Sequence, residues 1–241
     1  MKIDFEELDY RETPIGALSV RRRTEVFLGG VTVFEIKLDD AFLMSSLFTV
    51  SETELARLGL AALDKVEINV AVGGLGLGYT AAAVLEDTRV QSLHVVEALL
   101  PVIEWHQNGL LPLGQALTSD ARCHFVHGDF FDLARSREGL LQETPQTRFD
   151  AILVDIDHSP RNVLSSTHAS FYTHQGLLAL ATHLEPEGVF AIWSNDPPDD
   201  EFEAELARVF KSTRAHVVSF PNPYTNGDSA CTVYVAARPR Q

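Results

Sequence analysis

Cysteine is scarce in this chain of 241 residues, which contains two, Cys123 and Cys231. They stand far apart, and neither belongs to a C-x-x-C pair. The sequence therefore predicts neither a disulfide framework nor a zinc site. We expect no bound metal, and a reducing cytoplasm as the setting of the protein.

Long apolar runs are also missing. No stretch approaches the roughly 18 consecutive apolar residues that a membrane-spanning helix needs. The first residues, MKIDFEELDYRE, contain no apolar core of the kind found in secretory signals. We expect no association with membranes.

Positive charge is the third shortage. Lysine and arginine number 19 against 34 aspartates and glutamates, which gives a formal net charge of -15 and a pI near 4.9. Such a surface repels nucleic-acid phosphates and attracts small cations, although many soluble proteins are acidic without such a ligand. We therefore expect no nucleic-acid partner. Hydrophobic residues make up 45% of the chain, which is enough for a substantial core.

The pattern of the chain changes at about residue 50. Residues 1–50 contain short β-rich segments, typical of a small antiparallel unit. Residues 51–241 alternate strands with helices, which predicts a mostly parallel sheet with helices on both faces. The last two strands follow one another without a helix, which predicts an antiparallel hairpin. The first helix is predicted to begin at Ser51, because Glu54 three residues later completes a capping box.

A cluster of glycines separates the first strand of the second part from the helix after it, in VAVGGLGLGYTAAAVL. Glycine costs backbone entropy on folding, so such a cluster indicates a sharp turn or a ligand that approaches the main chain. In α/β sheets, ligands bind at the carboxyl ends of strands and at the N-termini of helices. We predict cofactor binding by this loop; a tight turn without a ligand is the alternative. The predicted residues are Gly73, Gly74, Gly76 and Gly78.

Carboxylates follow at the ends of the next two strands. Glu97 ends the second strand, where it can accept hydrogen bonds from both hydroxyls of a ribose. Asp129 follows the third strand, where it can accept a hydrogen bond from an adenine amino group while Phe130 packs on the base. Proteins that bind NAD or S-adenosylmethionine share the strand-end glutamate. A surface glutamate and an isolated turn aspartate are the alternatives.

The fourth strand ends in ILVDIDHSP. Asp155 stands at its carboxyl end, over the presumed ligand, and Asp157 follows two residues later. Acidic groups that face a sulfonium centre can hold and deprotonate an amine nucleophile. We predict that Asp155 is catalytic and that Asp157 binds the substrate; a loop cap is the alternative for Asp155.

Taken in order, these motifs resemble the spermidine synthase (polyamine aminopropyltransferase) family, within the class I S-adenosylmethionine-dependent methyltransferase fold. The resemblance runs over most of the chain and rests on LDDAFLMSS, VAVGGLGLG, VVE, GDFFD, ILVDIDHSP and NPYTNG. It implies a Rossmann-like, mostly parallel sheet after a small N-terminal β unit, and a homodimer.

The resemblance also implies a reaction. Decarboxylated S-adenosylmethionine would donate an aminopropyl group to a small cationic amine such as putrescine. Glu97 would bind the ribose, Asp129 the adenine and Asp155 the attacking amine. Tyr224, in NPYTNG, resembles the family's late tyrosine that helps bind the polyamine.

Three positions depart from the family's pattern. Gly76 stands where the family has an aspartate that holds the aminopropyl nitrogen of the donor, so intact S-adenosylmethionine meets less repulsion here. Asp157 comes one residue earlier than the family's second loop acid, and Glu52-Thr53 replaces a Tyr-His pair. The alternatives are therefore a methyltransferase that uses intact S-adenosylmethionine and a nucleoside-binding homologue without catalysis. An NAD-dependent dehydrogenase fits less well, because the N-terminal β unit and GDFFD have no role in one.

Overall fold

A computed structural model describes residues 5–240. The strands are β1 (Phe5–Thr13), β2 (Gly16–Glu25), β3 (Val31–Leu38), β4 (Ala41–Ser45), β5 (Ile68–Gly73), β6 (Val90–Glu97), β7 (Cys123–His127), β8 (Phe149–Val154), β9 (Leu184–Ser194), β10 (Phe210–Asn222) and β11 (Gly227–Pro239). The α-helices are α1 (Val50–Ala61), α2 (Tyr79–Leu85), α3 (Leu100–Gln107), α4 (Gly114–Ser119), α5 (Phe130–Arg135), α6 (His174–Ala181) and α7 (Asp200–Val209). Two short 3₁₀ segments cover Val26–Leu28 and Ser166–Tyr172.

The larger sheet has seven strands in the order β10-β11-β9-β8-β5-β6-β7. Strands β5 to β9 pair in parallel, and β11 runs antiparallel to both of its neighbours, β9 and β10. The predicted mostly parallel sheet with an antiparallel C-terminal hairpin is therefore confirmed. The hairpin is folded so that its second strand lies inside the sheet and β10 forms the edge.

Successive side chains of the central strands point to opposite faces of the sheet, and both faces are covered by helices. In β5, Val70 and Val72 belong to one buried cluster, which contains side chains of α1 to α4. Ala71 points to the other face and belongs to the cluster that contains side chains of α5 to α7. Successive side chains of a strand point to opposite faces, so a strand that is apolar on both faces can carry two layers of helices.

The smaller sheet is an antiparallel meander, β1-β2-β3-β4, as predicted for the N-terminal unit. Leu18, Val20 and Ile36 of this sheet are buried in the same cluster as α1 and the central strands. The meander is therefore packed onto the main core. Among the helices of residues 5–240, none is both long enough and apolar enough to cross a bilayer.

Two local features differ from expectation. Strand β1 was not predicted, because its sequence FEELDYRET is largely exposed and shows no apolar alternation; pairing with β2 holds it at the sheet edge. The predicted capping box is wrong. Helix α1 begins at Val50 after Thr49, and the Ser51 hydroxyl donates to the Glu52 carboxylate at 2.6 Å instead of capping the helix.

Candidate active site

A large cavity lies at the carboxyl ends of the central strands. From β5 the chain continues to β6 and β7 on one side, and it then returns to β8 and β9 on the other side. The cavity at this switch point has a volume of about 980 Å³. Its walls come from the loops after β5, β6, β7 and β8, from the first turn of α1, from β3 and β4, and from the β10–β11 hairpin. Ligand pockets in proteins range from about 300 to 1,000 Å³, so this one is large enough for a nucleoside together with a small second molecule.

The glycine loop forms one wall through Gly74 and Gly76. Gly74 has a φ of +95°, and a β-carbon there would lie 2.2 Å from the main-chain carbonyl oxygen of Asp155. Both the positive φ and the close contact with Asp155 therefore exclude a side chain at position 74. Gly73 and Gly78 do not line the cavity. A β-carbon at Gly73 would meet the Phe130 ring at 2.7 Å, and Gly78, with φ +90°, precedes α2.

A buried histidine supports this loop from behind. His106 of α3 is fully buried, and its Nε2 lies 2.9 Å from the carbonyl oxygen of Gly76. A carbonyl only accepts, so Nε2 carries the proton and donates. Burial lowers the pKa of His106, which keeps the ring neutral. His106 therefore fixes the position of one loop carbonyl without adding charge to the cavity.

Glu97 joins the glycine loop to the loop after β6. Its Oε2 accepts from the Leu75 amide at 2.9 Å, and its Oε1 accepts from the Leu99 amide at 2.8 Å. The residue is 9% exposed and lines the cavity, and burial raises its pKa. Each carboxylate oxygen can accept more than one hydrogen bond, so both can still receive hydroxyls from a ligand.

Asp129 and Phe130 lie at the next strand end. One oxygen of Asp129 caps α5, accepting from the amides of Phe131 at 2.8 Å and Asp132 at 3.2 Å. Within residues 5–240 no hydrogen bond engages its other oxygen, Oδ2. Both predicted residues line the cavity, but Phe130 is 2% exposed, because its ring lies over Gly73 and against Phe131. It therefore presents little of its face to a ligand.

Asp155 and Glu52 bring two further carboxyl groups to the cavity wall. Asp155 follows β8, its amide donates to the Gly73 carbonyl at 2.9 Å, and its Oδ2 accepts from the Thr80 hydroxyl at 2.8 Å. Glu52 projects from the first turn of α1 and is 8% exposed. Both residues line the cavity. No ion pair to either carboxylate is found in the described part of the chain.

Both of these carboxyl groups hold their protons more strongly than usual. Burial, followed by the nearby charge of Asp155, raises the pKa of Glu52 to about 7. Burial raises the pKa of Asp155 to about 6 and outweighs the opposing effect of the Thr80 hydrogen bond. Loss of hydration disfavours the charged form of an acid, and a like charge disfavours it further. Near neutral pH the pair is therefore only partly ionised. Between residues 5 and 240, no group of three or more His, Cys, Asp or Glu side chains is arranged to bind a metal ion.

Asp157 lies behind the cavity wall instead of in it. It is 2% exposed, and its Oδ1 accepts from the Leu164 amide at 2.7 Å and from His168 Nδ1 at 2.8 Å. Its Oδ2 accepts from the Tyr172 hydroxyl at 2.8 Å. These bonds hold the segment after β8 in place, and His168, stacked on Phe131, lines the cavity. The structure therefore does not bring the Asp157 carboxylate to the cavity.

Tyr224 also lies outside this cavity. Its hydroxyl donates to Glu25 at 2.7 Å and accepts from Arg23 at 3.1 Å, which ties the tip of the β10–β11 hairpin to the N-terminal sheet. The ring lies 6.1 Å from that of Phe48, which lines the cavity. Tyr224 is thus separated from the cavity by one side chain, and its role in binding an amine stays a prediction.

Met44 of β4 covers Gly76, the position that departs from the pattern of the resembled family. A β-carbon at Gly76 would lie 2.8 Å from the Met44 sulfur, and the Leu77 amide donates to the same sulfur at 3.1 Å. Gly76 has a φ of +48°. The atoms that contact this part of the loop from β4 are therefore those of a thioether and not of a carboxylate.

Comparison with known proteins gives the fold an independent reference. No protein-family model matches the chain. The structure is similar to that of spermidine synthase from Thermotoga maritima, with a TM-score of 0.72 and 19% sequence identity over 96% of this chain and 72% of that one. It is also similar to a spermidine synthase in complex with the transition-state analogue AdoDATO, with a TM-score of 0.71 and 18% identity over the same shares of the two chains. These likenesses confirm the predicted fold.

Sequence reasoning missed four residues of the site or its support: Glu52, Met44, His106 and His168. A signal for Glu52 was available. It lies three and four residues before Leu55 and Ala56, on the apolar stripe of α1, where a carboxylate is exceptional. The others come from distant segments of the chain, and no local pattern marks them.

Proposed function

We propose that the chain is an aminopropyltransferase-like enzyme that alkylates a small cationic amine such as putrescine, with decarboxylated S-adenosylmethionine as donor. One observation carries this proposal. Asp155, with its raised pKa, stands at the carboxyl end of β8 in the same cavity as Glu97 and the glycine loop. A nucleoside site and a proton acceptor would thus share one cavity. The similarity to spermidine synthase structures supports the proposal.

The donor would bind along the strand ends. Glu97 would accept hydrogen bonds from the ribose hydroxyls, since both of its oxygens are held in place by main-chain amides. The free Oδ2 of Asp129 would accept from the adenine amino group. Gly74 and Gly76 would let the sulfur end of the donor lie against the main chain. The donor carries its own leaving group, so the protein has mainly to orient and desolvate the two reactants.

The transfer step needs a neutral amine. An alkylammonium group has a pKa of about 10, so it must lose a proton before its nitrogen can attack. The nitrogen then forms a bond to the aminopropyl carbon, the carbon–sulfur bond breaks, and its electron pair goes to sulfur, which becomes a neutral thioether. Asp155 would take the proton that the nitrogen releases. A carboxyl group with a pKa near 6 is a stronger base than an ordinary aspartate and suits this role at neutral pH.

A second candidate is methyl transfer from intact S-adenosylmethionine. The observation in its favour is that Gly76 carries no side-chain carboxylate and is covered by the Met44 thioether, so position 76 itself does not repel the carboxylate of the methionine moiety. The same strand ends would bind this donor, and Asp155 would again take the proton of the acceptor. The acceptor would gain a methyl group instead of an aminopropyl group. Location in the cytoplasm and a homodimeric state stay predictions under either function.

Product identification tests the two functions together. The protein would be incubated with each donor and a panel of amines, and the products identified by mass spectrometry. Aminopropyl transfer yields 5′-methylthioadenosine and an amine heavier by one aminopropyl group, whereas methyl transfer yields S-adenosylhomocysteine. We expect the first pair of products, dependent on added amine. Turnover with intact S-adenosylmethionine alone would replace the first function with the second, and no turnover with either donor would contradict both.

A further inference from the structure

The Glu52 carboxylate lines the cavity, although the sequence analysis assigned it no role in the site. The Asp157 carboxylate, which the sequence analysis assigned to the substrate site, does not line it. Asp157 was predicted to be the second acidic group of the substrate site, but its oxygens are occupied by Leu164, His168 and Tyr172. Glu52 lines the cavity, and the one other side chain of residues 5–240 that forms a hydrogen bond with it is the neighbouring Ser51. A buried carboxylate at a cavity wall is costly unless it is paired, and no cation of residues 5–240 pairs with it.

We propose that Glu52, and not Asp157, is the second acidic group of the amine site, and that Glu52 and Asp155 together bind the reacting ammonium of the acceptor. This inference rests on the proposed function for the identity of the acceptor as an aliphatic primary amine. It adds a residue that determines specificity: a neutral or anionic acceptor would leave both carboxylates without a partner.

Apart from Asp155, the ionisable side chains among residues 5–240 that interact with Glu52 are uncharged near neutral pH. The ionisable groups that face it are Asp155 after β8, Tyr79 of α2 and Cys231 of β11. Burial raises the pKa of Tyr79, and burial raises the pKa of Cys231 to about 11, so both are neutral. The amine site is therefore formed by two carboxyl groups, and it is suited to a ligand that brings one positive charge.

Binding of an ammonium group would change the number of protons held by Glu52 and Asp155. The empty pair holds its protons strongly because the two acids are buried together, and an entering ammonium favours their charged forms. Binding of a cation therefore releases protons from the pair to solvent. Once the donor is in place, the same carboxylates are the groups nearest to the nitrogen and can accept its proton as the new carbon–nitrogen bond forms.

Calorimetry with 1,4-diaminobutane, in the absence of any donor, tests the inference. The titration would be run at pH 6.5 in two buffers of different ionisation enthalpy, which reports the number of protons released. Wild type is compared with Glu52→Gln and with the control Glu54→Gln, from the partly exposed side of the same helix. We expect Glu52→Gln to bind the amine about 10- to 100-fold more weakly, because a charge-assisted contact is lost, and to release fewer protons. Glu54→Gln should match wild type in both.

The inference and the proposed function can fail separately. Binding of 5′-methylthioadenosine, measured in the same proteins, reports the nucleoside site, and thermal unfolding reports whether each variant is folded. Equal amine affinity and proton release in wild type and folded Glu52→Gln would overturn the inference, as would wild type that binds no diamine. If the amine binds as expected but the nucleoside does not, the proposed reaction fails and the role of Glu52 stands. Loss of amine binding in a folded Asp157→Asn variant, with Glu52→Gln unaffected, would restore the original assignment.

Discussion

The carboxylates at the two ends of the cavity accept hydrogen bonds from different kinds of donor. At the nucleoside end, defined by Gly74, Glu97 and Asp129, the acidic oxygens accept main-chain amides in the folded chain. At the amine end, defined by Glu52 and Asp155, each carboxylate accepts a single side-chain hydroxyl. Main-chain donors position an acceptor for a neutral, hydrogen-bonding ligand. An acid that burial leaves without compensating charge attracts a cation. Under the proposed function, this difference would place the nucleoside at one end and the amine at the other.

The largest expected effect is the loss of the Asp155 charge. Asp155→Asn removes the proton acceptor but keeps the shape, so kcat should fall by about 10²- to 10⁴-fold, the usual contribution of general base catalysis. Affinity for 5′-methylthioadenosine should change little, because the nucleoside end is untouched. Asp132→Asn, at a side chain that is 70% exposed, is the matched control. A variant with wild-type turnover, measured by mass spectrometry of the product, would remove Asp155 from the mechanism.

Next in size is a steric change at the nucleoside end. Gly74→Ala brings a β-carbon within 2.2 Å of the Asp155 carbonyl oxygen at a φ of +95°. Gly109→Ala has a comparable φ, +69°, and nothing within 4 Å of the new carbon. The Gly109 variant should lose about 1 kcal/mol of unfolding free energy through backbone strain alone. Gly74→Ala should lose at least about 2 kcal/mol more, because the displaced loop costs packing as well. Similar losses in chemical denaturation would show that the loop is not tightly held against β8.

Glu97→Gln tests the nucleoside end without moving the main chain. The amide side chain can accept a hydrogen bond through one atom and not through two, so one of the Leu75 and Leu99 amides loses its partner. We expect about 10- to 100-fold weaker binding of 5′-methylthioadenosine, the cost of losing a hydrogen bond to a charged group. Binding of 1,4-diaminobutane should not change. A variant that loses both ligands equally would contradict the division of the cavity into two ends.

The smallest expected effect is that of Glu52→Gln on the unfolding free energy and on the way this free energy depends on pH. The folded-state pKa of Glu52, about 7, lies above the ordinary value of 4.5, so the folded protein binds more protons than the unfolded chain between these values. Stability from this group is therefore fully present below pH 4.5 and is lost as the pH rises to about 7. Glu52→Gln has no such loss.

From pH 5 to pH 8, the unfolding free energy of Glu52→Gln relative to wild type should rise by about 2 kcal/mol. Asp155 titrates in both proteins and cancels to a first approximation. Urea denaturation at the two pH values measures the difference. A constant difference would mean that Glu52 is ionised in the folded protein at pH 5 as it is in the unfolded chain.

Local patterns were sufficient to predict the fold and to identify residues that lie together in one cavity; that these residues bind a nucleoside stays a prediction. The glycine cluster, Glu97 and Asp129 all lie at strand ends, and strand ends can be read from runs of apolar residues. In a parallel sheet the carboxyl ends of neighbouring strands meet, so the sequence positions alone bring these residues together. Asp129 also accepts from amides two and three residues away, and Glu97 from one amide two residues away, whereas the Leu75 amide reaches Glu97 from the preceding loop.

The amine end depended on packing between distant segments. Asp155 and Asp157 lie two residues apart after the same strand, so the sequence alone does not show which of them reaches the cavity. Tyr172 and His168, from a later segment, form hydrogen bonds with Asp157. The position of Glu52 depends on where α1 begins, and the capping pattern placed that start incorrectly. Strand β1 is mostly exposed and is held by pairing at a sheet edge, so no apolar period marked it.

The contact between Met44 and the glycine loop has a consequence for redesign. One wall of the cavity is supplied by the N-terminal meander, through Met44 of β4. Substitutions at this strand could therefore reshape the cavity while the seven-stranded sheet is kept intact, provided that the buried Leu18, Val20 and Ile36 are retained.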